Sequence, residues 1–97
     1  MELARVEGTI VSTAKTERLK GYKLLLVNLV EPDLKQTKNY LVAVDSVGAG
    51  KDEIVLIVRG SSARQAAELS NVPTDASIVG IVDSIEHLGI TKYQKNG

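Results

Sequence analysis

The chain has 97 residues, with twelve basic and twelve acidic side chains, so its formal net charge is zero. That length allows one domain, residues 1–97, with a modest core. The absence of cysteine excludes disulfides, thiol catalysis and thiolate metal sites, and the even charge argues against bulk attraction to nucleic acid or an anionic membrane.

Residues 3–13 (LARVEGTIVST) interleave Val, Ile and Thr with polar residues and predict a strand, with a bulge at Gly8. Residues 14–21 carry Lys15, Glu17, Arg18 and Lys20 and close on Gly21, as an exposed connection does. A second strand is expected over 22–31 (YKLLLVNLVE), stopped by Pro32, which has no N–H for a ladder. Residues 33–39 are polar and predict a loop. A third strand follows over 40–47 (YLVAVDSV), a turn cluster over 48–52, and a fourth strand over 53–59 (EIVLIVR).

The period then changes. Ser62 and Gln65 have capping-box spacing, and Ala63, Ala66 and Ala67 share one face of a short helix running to about Leu69. A fifth strand is expected over 77–85 (SIVGIVDSI). Residues 86–97 read as a tail with a weak strand signal at 90–93. The expectation is a mainly β domain, a small barrel or sandwich with one short α-helix.

With three tyrosines and no Phe or Trp, the core has to be aliphatic. Strands two, four and five carry aliphatic side chains on both alternating faces, whereas a half-buried strand alternates apolar with polar. One short helix cannot cover those outer faces, so the pattern predicts an obligate homo-oligomer. No stretch is long enough to cross a bilayer. The N-terminus lacks the basic and apolar regions of a signal peptide, so the expected setting is cytoplasmic, with no membrane partner.

Several motifs invite chemistry and fail on inspection. Gly48-Ala49-Gly50-Lys51 suggests a phosphate loop, but Asp45 stands where the first Walker glycine belongs and Asp52 where Ser or Thr belongs. A tight hairpin turn using positive φ is the better reading. Ser61 and Ser62 open the predicted helix, whose free N–H groups could hold an anion, but a serine nucleophile needs a base and the single histidine is the distant His87. Asp45, Asp75 and Asp83 are too dispersed for a metal site. No cofactor and no enzymatic activity are expected. Lys15, Arg18, Lys20 and Lys23 with Tyr22 could touch phosphates, which makes a nucleic-acid-binding module of OB type the alternative function. Single-strand binders stack bases on several aromatics, and this chain offers only Tyr22, Tyr40 and Tyr93.

Taken together, AVDSVGAG over 43–50, EIVLIVRGSSARQ over 53–65 and IVGIVDSI over 78–85, with the opening pattern over 3–27, resemble the EutN/CcmL family of bacterial microcompartment vertex proteins. The resemblance covers the chain to about Ile85 and leaves the tail over 86–97 and the loop over 32–39 aside. It implies a five-stranded, OB-like barrel with a short helix. It implies further that the subunits form a homopentamer, which would cap the five-fold vertices of a polyhedral shell and dock onto hexameric shell proteins. By the same resemblance Gly60, Ser61, Ser62, Ala63 and Arg64 lie toward the five-fold axis, where the serines would border a narrow pore. Asp45, Val47, Gly48, Ala49 and Gly50 are assigned to a contact with the neighbouring subunit or the adjoining hexamer. Gly80, inside a strand of otherwise large residues, is expected to let a neighbouring element approach closely.

Overall fold

The computed structural model describes residues 1–13, 15, 17–60 and 74–95. They form strands β1 (Glu2–Ile10), β2 (Lys23–Val30), β3 (Gln36–Asp45), β4 (Ile54–Arg59), β5 (Ala76–Ile81), β6 (Ser84–His87) and β7 (Ile90–Gln94), with a 3-10 turn at Glu17–Leu19. The first five strands close into a barrel in the order β1-β2-β3-β5-β4. All neighbouring pairs are antiparallel except β3 and β5, joined in parallel through Val44↔Ser77 and Asp45↔Ile78. That is the expected small OB-like barrel. The helix expected over 62–69 lies outside the described residues.

Strand period decides what fills the barrel. Ala4 and Val6 from β1, Leu25, Val27 and Leu29 from β2, Ala43 from β3, Val55 and Ile57 from β4, and Ala76 and Ile78 from β5 make one continuous aliphatic core. The interior holds no aromatic ring. Each fully buried Leu, Ile or Val of this set contributes about 1.5–3 kcal/mol by leaving water.

The outer faces hold more of their own apolar side chains than the sequence pattern suggested. Leu24 and Val44 form a second small cluster, packed by Ile10 and by Leu19 of the 3-10 turn. So the exposed connection expected over 14–21 in fact carries one anchoring residue, Leu19. Val30 and Ile54 are also buried. What stays open is a strip on β3, where Tyr40 is 52% and Val42 47% exposed. Leu26 and Gly8 stand beside Val42 across the ladders.

Several boundaries move, each for a local reason. A register shift between Val6 and Gly8 places a bulge at Glu7, beside the glycine that predicted it. The strand expected to begin at Tyr40 begins at Gln36, because Glu31 to Lys35 turn tightly. Glu31 N–H donates to the Lys35 carbonyl at 3.0 Å, and Lys35 N–H to Asp33 Oδ1, also at 3.0 Å. The turn at 48–51 is not a hairpin, since β3 and β4 do not pair: β3 bonds to β2 and β5, and β4 to β1 and β5. The fifth strand stops at Ile81, and the tail completes a hairpin of β6 and β7. Leu88 (φ 56°) and Gly89 (φ 78°) supply the two left-handed residues that a two-residue turn of this kind requires. Within the chain Gly80 meets only ordinary contact, a Cβ there lying 3.5 Å from Leu56 Cδ1.

Candidate functional site

The loop between β3 and β4 folds over one end of the barrel, and its residues have distinct jobs. Asp45 ends β3 with its side chain only 1% exposed. Its Oδ1 accepts from Val47 N–H at 3.0 Å and its Oδ2 from Ala49 N–H at 2.9 Å. A short acid that bonds the backbone two and four residues on shapes a turn from within. Lys23, opposite Asp45 on β2, donates Nζ to the Ala49 carbonyl at 2.8 Å and lies 3.7 Å from Asp45 Oδ2.

Clamped this way, Ala49 is wholly buried and belongs to the barrel core, where it plugs the end. Gly48, at φ 80°, provides the reversal that carries the chain inward, and a Cβ there would meet nothing within 4 Å in this subunit. Val47 is left on the outside, 40% exposed. Of the five residues assigned to a contact, Val47 and Gly48 therefore present the surface. Asp45 and Ala49 hold its shape from inside, and Gly50 is half-buried at the return.

The return is held by residues that the sequence reading passed over. Gly50 N–H donates to Glu53 Oε1 at 2.6 Å, and Lys95 Nζ reaches Glu53 Oε2 at 2.6 Å. The hydrogen bond from Lys95, then that from Gly50, holds the Glu53 carboxyl below the ordinary glutamate value against its partial desolvation. The same bond holds the Lys95 ammonium above its ordinary value. Glu53 N–H donates to the Gly50 carbonyl at 3.2 Å, and Val6 bonds both Asp52 N–H and Glu53 O, tying the loop to β1. Acids at both ends of a glycine-rich loop were the available signal. Lys95 could not have been found, being far along the chain.

Of the five residues assigned to an axis on the family resemblance, Gly60 follows β4 at φ 67° and donates its N–H to the Asp75 carbonyl at 2.9 Å. Ser61, Ser62, Ala63 and Arg64 lie outside the described residues. The tyrosines are scattered, with Tyr22 just before β2 at the Lys23↔Asp45 end of the ladder, Tyr40 at its Asn28 end and Tyr93 on the hairpin. They form no stacking platform. Among the described residues no three His, Asp or Glu side chains are grouped to hold a metal ion, and no helix is long and apolar enough to cross a membrane.

Comparison with known proteins gives concordant matches. The family described as "Ethanolamine utilisation protein EutN/carboxysome" matches residues 1–83. The carboxysome shell vertex protein CcmL of Synechocystis sp. is 45% identical over 95 residues, 98% of this chain and 95% of that protein. The microcompartment shell vertex protein EutN of Escherichia coli is 41% identical over 95 residues, 98% of this chain and all of that protein. Among solved structures, the GrpN pentameric microcompartment shell protein of Rhodospirillum rubrum superposes with a TM-score of 0.83 at 48% identity, covering 91% of this chain and 100% of that one.

Proposed function

The chain belongs to the EutN/CcmL family, and from that membership we propose that it is a structural vertex protein of a bacterial microcompartment shell, working as a homopentamer. The observation that carries this reading is the near full-length agreement with a pentameric shell protein, joined to relatives whose described role is that of shell vertex. The task is geometric. Flat sheets of hexamers close into a polyhedron only where five-fold points interrupt them, and a closed five-fold ring supplies such a point.

The subunit surface fits the part. A cyclic ring needs two different patches on every copy, one meeting the other across each boundary. The apolar strip of Tyr40 and Val42 offers one such patch, as exposed apolar surface does in assemblies. The rim formed by Val47 and Gly48 is our candidate for the contact with a neighbouring subunit or an adjoining hexamer. Residues 60–64 are assigned to the five-fold axis on the family resemblance, with Gly60 as their anchored start. The protein's work on this reading is shell closure, without catalysis or cofactor, and it resides in the shell.

Light scattering coupled to size exclusion tests the central statement. Five copies of the 10.4 kDa chain give a particle of about 52 kDa. A monomer across the accessible concentration range would remove the proposal.

A further inference from the structure

We propose that Lys95 is a positioning residue for the Asp45–Glu53 loop, so that the β6–β7 hairpin acts as a strap on the barrel-end rim. The geometry is a relay of three groups. Lys95 Nζ holds Glu53 Oε2, and the other oxygen of the same carboxylate holds Gly50 N–H. A carboxylate bonded through one oxygen can rotate; bonded through both, it is fixed, and the amide it accepts from is fixed with it.

The strap is itself anchored. Lys95 N–H donates to the Asp83 carbonyl at 2.7 Å, and Val82 N–H donates to the Ile54 carbonyl at 2.8 Å. The first bond closes the open end of the hairpin on itself, and the second ties that end to β4, the strand that Glu53 precedes. An isolated two-stranded hairpin is marginal in water, so β6 and β7 gain from the same clasp that steadies the loop. The rest of the loop has its own support: Val47 and Ala49, which flank Gly48, donate their N–H groups to Asp45. The clasp therefore acts on the returning half alone, at the point where the rim rejoins the barrel.

The existence of the clasp is independent of what the rim touches; its use in docking rests on the reading of the rim as a contact. Amide hydrogen exchange on the full-length protein separates the two. In Lys95→Met the Gly50 amide exchanges about three- to ten-fold faster, while Val47 and Ala49 keep their wild-type rates. Lys95→Arg restores Gly50. Glu53→Ala, which removes the acceptor itself, accelerates Gly50 at least as much as Lys95→Met. An unchanged Gly50 rate in either Lys95→Met or Glu53→Ala, equal acceleration of all three amides, or failure of Lys95→Arg to restore Gly50 would each overturn the proposal. Failure of the docking reading shows separately, as normal shell assembly by a Val47→Asp variant, and leaves the exchange result untouched.

Discussion

Asn28 donates its side-chain amide to the Thr37 carbonyl at 2.9 Å from the outer face of the barrel, and yet it is completely buried. The neighbouring ladder explains the burial. Asn28 pairs with Tyr40 and Val30 with Gln36, so β3 spends extra residues there and arches over Asn28. The amide also donates to the Asn39 carbonyl at 3.2 Å, replacing ladder bonds that the arch gives up. Thr37 completes the arrangement by donating its hydroxyl to the Leu29 carbonyl at 2.7 Å and accepting from Asn39 N–H at 3.1 Å. The amide's oxygen, Asn28 Oδ1, is buried without a hydrogen-bond partner among the described residues.

Asn28 must donate, and that makes a sharp prediction. Asn28→Ala leaves two carbonyls short of a donor and destabilises by about 1–3 kcal/mol. Asn28→Asp is worse at neutral pH, because a carboxylate faces two carbonyl oxygens, and it recovers in acid when the group protonates and can donate once. Urea denaturation of both variants at neutral and acid pH checks the order. Equal midpoints for Asn28→Asp at both values, against a wild-type baseline, would contradict it.

Asp45 carries the loop. Asp45→Ala removes the acceptor for two amides and the nearby counter-charge of Lys23, and lowers unfolding stability by about 2–3 kcal/mol. Asp45→Asn retains one acceptor oxygen and loses less. Denaturant midpoints at constant slope measure both.

The barrel was legible in the sequence because the aliphatic residues that fill it recur at strand period, as Leu25, Val27 and Leu29 do on one side of β2. The order in which strands meet was not, since nothing local to 48–51 distinguishes a hairpin turn from a loop that plugs a barrel end. Asn28 was visible as an interruption of an apolar run, but its role depends on an arch in another strand. The surplus of apolar outer faces predicts cover by another chain. Part of that cover comes from Leu19 and from the chain's own ladders, which strand period cannot reveal. The clasp on Glu53 was hidden for the same reason: its partner is a lysine beyond a turn made by Leu88 and Gly89.

Val42→Lys tests the open strip. A lysine at a 47% exposed position leaves the subunit's own stability within about 0.5 kcal/mol. It weakens the pentamer, because a charge placed in an apolar contact must be desolvated. A dilution series followed by light scattering should show smaller species than wild type at equal concentration. An unchanged mass throughout would remove the strip from the subunit boundary.

Gly48→Val tests the rim. Space is no obstacle within the subunit, but a β-branched residue at φ 80° is strained, costing on the order of 1–3 kcal/mol. The variant should stay soluble and fail in shell assembly, as should Val47→Asp. Normal particles seen by electron microscopy for both would refute the assignment.

The pH response of the clasp follows from two opposite displacements. Glu53 is held below its ordinary value, so its contribution is complete above about pH 4.3 and fades as pH falls through the lower native value. Lys95 is held above its ordinary value, so its contribution is complete below about pH 10.4 and fades as pH rises through the higher native value. Lys23 adds to the first, and Asp83 and Tyr93 to the second. Lys95→Met should therefore flatten stability loss at both extremes relative to wild type, as read by thermal melts across the range. Unchanged slopes at both ends would argue against it.

The closing of β1 onto β4 has a consequence for growth. An open sheet offers its last strand as a template, and each added copy exposes a new template, so edge pairing has no natural stopping point. In this barrel β1 lies between β2 and β4, and β4 between β1 and β5, so neither of those two strands is such a template. Copies that meet at those strands do so through side chains, whose shapes fix one angle between neighbours, and a fixed angle can return to its start. The closing of β1 onto β4 thus favours a finite ring over a fibre.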